Sequence, residues 1–284
     1  MANETTYTTA DDTRYAAVIN EAVIQELRAA VVMSKLCVQK SLAGKPSKAI
    51  DFAKWPTIAA AAIAEGTDGA NTAVSTSKAT VTTGEALVMV TPTDVLESSD
   101  ILDGLGEYSA LLGRAMADKM DSDMCALLAG FTTVVGTDGS DMTETNFLDA
   151  IYSLSAAKAP KPYSCVLHPV QINDFRKALS TATGVIHTGL TTESLGVSNL
   201  NGLWGELYNV AIWESANVPL NASSASRTGG MFSQGYALAL ATKWATRVEP
   251  QRDASLRATE LVCTAMYGVG ELVDAAGVTI LTDA

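Results

Sequence analysis

Aromatic residues are scarce in this chain, 6% of 284 positions. The rest is heavy in Ala, Ser, Thr and Gly, side chains that suit flat surfaces and extended strands better than one deep core. Bases are also few: 19 Lys and Arg stand against 31 Asp and Glu, a formal charge of −12. No run of Lys and Arg is present to neutralise phosphates, which excludes a protein that grips nucleic acid. Two histidines are too few for a classical zinc site. The four cysteines, Cys37, Cys125, Cys165 and Cys263, lie far apart, form no C-x-x-C pair and sit among apolar neighbours, so each is expected to be a small buried thiol. No apolar run approaches a membrane span, and the first residues have neither a basic nor an apolar leader region. The expected setting is a reducing cytoplasm, with no disulfide, metal or cofactor.

What is present is 48% hydrophobic sequence, long enough for one large or two ordinary domains. Its organising stretch is a long helix expected from about Ile101 to Phe131. Ile101, Leu105, Tyr108, Leu112, Met116, Met120, Met124, Leu127 and Phe131 recur in steps of four and three, the period of a one-faced helix. Glu97, Asp100, Asp103 and Glu107 crowd its start, where the helix dipole favours negative charge. Gly130 marks its stop. Such a helix is roughly 45 Å long, more than a compact small domain needs. Charge is concentrated there: twelve acids against Arg114 and Lys119 between Asp94 and Asp149 leave −10.

Before this helix, 12–35 has helical periodicity and Gly44-Lys45-Pro46 breaks the chain. Ile50, Phe52 and Trp55 suggest a strand. After an Ala-rich stretch, 73–83 and then 86–91 are again strand-prone. Together these predict a long hairpin from Ala49 to Thr91 with a Gly/Thr/Ala tip. A lone hairpin is marginal in water, and this one has little apolar surface to bury, so a neighbouring subunit is its expected support. On that view residues 66–84 could be replaced by a short turn without unfolding the subunit. Val74, Lys78 and Val81 on the hairpin are the candidate inter-subunit contacts.

After the helix, Gly136 to Gly139 reads as a turn, and Thr143 as the cap of a helix running to about Lys158 with Phe147, Ile151 and Leu154 inward. Tyr163–Leu167 reads as a buried strand leading through His168-Pro169 into a short helix, and 180–201 as a surface loop. Gly202–Trp213 is expected to be one strand, Gly230–Phe232 the start of another, and Tyr236–Ala241 a short helix. Leu256–Tyr267, Glu271–Val273 and Val278–Leu281 have strand character.

Chemical motifs are weak. Gly44-Lys45 lacks the first Gly and the Ser/Thr of a phosphate loop, and Gly104-Leu105-Gly106 lacks the third Gly of a dinucleotide loop. Cys165 and His168 could form a nucleophile and base of a hydrolase. At i and i+3 on a strand, however, they point apart, and His168 before Pro169 is more simply a helix cap. Asp118, Asp121 and Asp123 follow no EF-hand spacing and are expected to be a solvated helix face.

The order of parts resembles the major capsid protein of tailed bacteriophages, the Hong Kong ninety-seven fold, over most of the chain. The resemblance rests on Ala64-Glu65-Gly66 in the hairpin, Val88 to Asp100 leading into the long helix, and Leu167-His168-Pro169. Gly205 to Ser215, Val218-Pro219, Ala265 to Val273 and Val278 to Leu281 complete it. It implies an α+β fold with an N-terminal arm (1–48), an extended hairpin loop (49–91), a peripheral domain with the spine helix (92–159), an axial domain (160–242) and closing peripheral strands (243–284). It also implies self-assembly into hexamers and pentamers of an icosahedral shell. Its partners would be a separate scaffolding protein, a portal and a decoration protein, with packaged DNA enclosed but not specifically bound. No Lys–Asn pair is assigned to a covalent cross-link, and Lys78 reads more simply as a solvated lysine. An encapsulin, the bacterial compartment shell of the same fold, is the rival reading.

Overall fold

The computed structural model describes residues 32–69, 71–94, 104–181, 203–222 and 226–283. The expected helix of 12–35 and loop of 180–201 fall almost wholly outside these. Strands β1 (Val38–Ser41), β2 (Ala49–Lys54), β3 (Ser77–Thr82) and β4 (Gly84–Val90) precede helix α1 (Gly104–Ala126), which ends in a 3-10 turn, Leu127–Gly130. Then come β5 (Val134–Gly136), α2 (Glu144–Ala156), β6 (Tyr163–Leu167) and α3 (Pro169–Thr181). Six strands close the chain: β7 (Leu203–Leu207), β8 (Val210–Glu214), β9 (Ser226–Ser233), β10 (Leu238–Asp253), β11 (Ala258–Glu271) and β12 (Gly277–Asp283).

These form a four-stranded sheet in the order β1-β10-β11-β4, a six-stranded sheet in the order β5-β12-β9-β6-β8-β7, and a separate β2-β3 pair. Leu112, Met116, Met120 and Met124 bury the predicted stripe of α1, which lies on the inner face of the four-stranded sheet against Leu261, Cys263, Ala265 and Tyr267. Val166 and Phe232 join the same core from the six-stranded sheet. The other face of that sheet is covered by α2 and α3, where the Phe147 and Phe175 rings stack at 5.3 Å. A sheet covered on both sides explains why β6 is buried throughout rather than alternating. Thr143 caps α2 as expected, its Oγ1 accepting from Asn146 N at 3.3 Å.

Three expectations are corrected. Gly202–Trp213 is two strands, because Tyr208 and Asn209 adopt positive φ (50° and 63°) and turn the chain back in a two-residue hairpin. Residues 238–241 are strand, not helix. Leu238 and Leu240 enter one core while Ala239 and Ala241 enter another, and a short apolar run burying both faces carries no periodicity to distinguish the two. The closing strand β12 pairs with β9 and β5 and lies in the six-stranded sheet. Finally, β4 leaves the hairpin and pairs with β11, from Val90 opposite Leu261 to Gly84 opposite Tyr267. The hairpin proper is therefore β2 against β3.

Candidate assembly surface

The β2–β3 hairpin is tied to the subunit at its base. Thr83 donates through both its N–H and its hydroxyl to Lys48 O (2.7 and 2.8 Å), and Lys243 Nζ donates to Ser47 O at 2.7 Å. Val81, 2% exposed, packs with Leu42, Ala239, Ala241 and Leu272. Gly268 and Gly270 on β11 make room for this crossing: a Cβ at Gly268 would lie 2.2 Å from Thr82 O, and one at Gly270 would lie 2.7 Å from Val81 Cγ2. Val81 thus belongs to the subunit's own core, which corrects its assignment as an inter-subunit contact. Strand alternation is the cause, since Val81 points inward while Thr80 and Thr82 point out.

Beyond the paired strands, the hairpin joins no core cluster among the described residues. Lys54 stands opposite Ser77, and the chain between them, residues 55–76, is an extended loop whose described residues are all exposed. Trp55 (76% exposed), Ile58, Ile63 and Val74 (47%) hold large apolar surfaces in water there. Val74 thus lies exposed in this loop. Lys78 is exposed on the rung just below, where its Nζ meets Asp51 Oδ2 at 2.7 Å. The Lys78 and Thr80 hydrogen bonds hold the Asp51 carboxyl below its usual range. A second apolar pair, Leu87 and Met89, lies on the outward face of the edge strand β4. Sequence reasoning passed over Trp55, Ile58, Ile63, Leu87 and Met89. For the last two, alternation with Ala86, Val88 and Val90 was the available signal.

The residues considered for chemistry are occupied otherwise. Cys165 is fully buried and its thiol is pushed up by burial alone. His168 Nδ1 accepts from Val170 N at 3.2 Å, capping α3 as expected, and burial together with Arg227 lowers its pKa. All four cysteines are free and buried, with Cys37 pushed up to about 12 by burial and by the charge of Asp121. The three aspartates of α1 do not form one solvated face. Asp118 is exposed, Asp123 accepts from Tyr267 Oη at 2.7 Å, and Asp121 is 2% exposed. Asp121 turns inward because it shares the buried side of α1 with Met120, Met124 and Cys125. Among the described residues no group of three or more His, Cys, Asp or Glu is placed to hold a metal, and no helix is long and apolar enough to cross a membrane.

A long spine helix on one sheet, a second sheet beside it and a hairpin loop exposed among the described residues are the parts expected of a shell-building subunit. The comparisons agree. The Phage capsid protein family matches residues 88–281, and the chain belongs to that family. It is a structural capsid protein with the Hong Kong ninety-seven type of fold. The capsid of Ralstonia phage GP4 is 12% identical, matching 90% of this chain and 90% of that one with a TM-score of 0.69. The capsid of cyanophage P-SCSP1u is 18% identical, over 89% of this chain and 88% of that one, with a TM-score of 0.65. A virus-like particle from Pyrococcus furiosus is 9% identical, over 94% and 99%, with a TM-score of 0.62. No curated protein matches the chain.

Proposed function

We propose that this capsid protein assembles with itself, as hexamers and pentamers, into the closed icosahedral head that encloses the double-stranded DNA of a tailed phage. One observation carries the reading: the 55–76 arm leaves Trp55, Ile58, Ile63 and Val74 exposed, and none of them joins a core cluster among the described residues. Each side chain of this kind gains about 1.5–3 kcal/mol when fully covered, and a neighbouring copy is the surface that covers it. Val74 and Lys78 are the contact residues retained from the sequence reading. The role is mechanical, with no catalysed step and no cofactor.

The subunit is made in the host cytoplasm and resides in the virion. A separate scaffolding protein and a portal direct closure, and a decoration protein binds outside. Of the −10 between Asp94 and Asp149 only a net −2 lies on α1, four acids against Arg114 and Lys119, so an inward-facing α1 is weakly acidic and leaves enclosed DNA to be neutralised by counterions. The family match favours a phage head over an encapsulin shell, and portal and terminase genes beside this one, rather than a cargo enzyme, would distinguish the two. Light scattering and negative-stain imaging of purified protein test the central claim. Closed shells or capsomers are expected. A stable monomer under all conditions, including with a co-expressed scaffold, would overturn it.

A further inference from the structure

Asp121 sits where three parts of the chain meet, and its two carboxylate oxygens divide them. Oδ1 accepts from the backbone N–H of Met33, on the arm that leads into β1, at 3.2 Å. Oδ2 accepts from Ser215 Oγ at 2.7 Å and Asn217 Nδ2 at 3.1 Å, both just past β8, while Cys125 Sγ lies 3.9 Å away. All these donors are neutral. A buried carboxylate is costly unless its lone pairs are filled, so the donors are held in place by the charge they solvate. We propose that Asp121 is the residue that positions the N-terminal arm on the spine helix, through a bond that needs both carboxylate oxygens. The claim rests on the proposed function only in treating that arm as part of the assembling unit, and its test reads the subunit alone.

Asp121→Asn makes the distinction. An amide keeps one acceptor oxygen, and two side-chain donors compete for it against one backbone N–H. The oxygen goes to Ser215 and Asn217, and the amide NH2 then faces the Met33 N–H, donor against donor. Ser215→Ala and Asn217→Ala each remove an Oδ2 partner and leave the Met33 bond intact. Hydrogen exchange of the soluble subunit should show a protected Met33 amide in the native protein. In D121N that amide should exchange about 10- to 100-fold faster, the loss of one hydrogen bond to a charged group. Trypsin should also cut after the exposed Lys35. S215A and N217A should leave Met33 protected, and β11 amides should stay protected in all three. Equal release of the arm by S215A, or unchanged protection in D121N, would overturn the proposal. So would a native Met33 amide that exchanges as fast as the open 55–69 loop, a measurement that needs no variant to fold.

Discussion

Replacing residues 55–76 with a four-residue Gly/Ser turn separates folding from assembly. Lys54 and Ser77 face each other across the hairpin, so a tight turn can join them without moving β2 or β3. The described residues removed are all exposed, and no core contact is lost. Closing a loop of about 4 rather than about 22 residues lowers the closure cost by roughly 1.5 kcal/mol, from (3/2)RT ln of the length ratio. The variant should therefore unfold at slightly higher urea than the native subunit. The loss falls between subunits: four apolar side chains at about 1–2 kcal/mol each vanish from every arm, given that they are only partly exposed. Urea unfolding followed by circular dichroism, with sedimentation velocity of the same sample, reads both halves. Soluble monomers or isolated capsomers with an unchanged or raised midpoint are expected. An unfolded variant would place the loop in the subunit's own core, and normal shells would show that the arm does not bridge subunits. The cut matters, because replacing 66–84 removes β3 with Val81 and the Thr83 tie to Lys48, and that variant should not fold.

Val81→Ala should cost the isolated subunit about 2 kcal/mol in urea unfolding, whereas Val74→Ala should leave its midpoint unchanged and weaken assembly. Melting should be the same with and without reductant, and Cys37 should resist alkylation at pH 8, because its thiol is raised to about 12 and remains protonated there. Glu271 is raised by burial and by the nearby Asp274. The folded state therefore holds its proton more tightly than the unfolded chain, and its contribution to stability falls as pH rises through the ordinary carboxylate range. Glu271→Gln should flatten that part of the pH–stability curve and leave the subunit no less stable at pH 7.

How far the sequence could be read depended on how many faces of each element are buried. The α1 stripe, the Thr143 cap and β6 were legible because one periodicity or one side chain determines each. The 238–241 run was not, since burial on both faces erases the period. The Tyr208-Asn209 turn lacks the Gly that usually marks a two-residue hairpin, so two strands read as one. At the candidate site, the hairpin was legible from strand-prone arms around a Gly/Thr/Ala tip, but the apolar side chains of Trp55, Ile58 and Ile63 in its loop were not weighed as a contact surface. The direction of Val81 was not legible, because it depends on Gly268 and Gly270 admitting the hairpin base from far along the chain. Asp121 was misplaced for a similar reason: its partners at Met33, Ser215 and Asn217 are distant in sequence, and nothing local announces them.

The position of β12 imposes an order on events during synthesis. It lies between β5 and β9, so until residues 277–283 have left the ribosome these two strands flank an empty slot with open hydrogen-bonding edges. Two such edges in one chain invite pairing with other nascent chains, which at a polysome are close by. The arm, meanwhile, is rooted on Gly268 and Gly270 of β11, which emerge only just before β12. Its base therefore cannot be seated until β11 is out. A subunit whose arm is seated on β11 is thus one in which the six-stranded sheet waits only for β12.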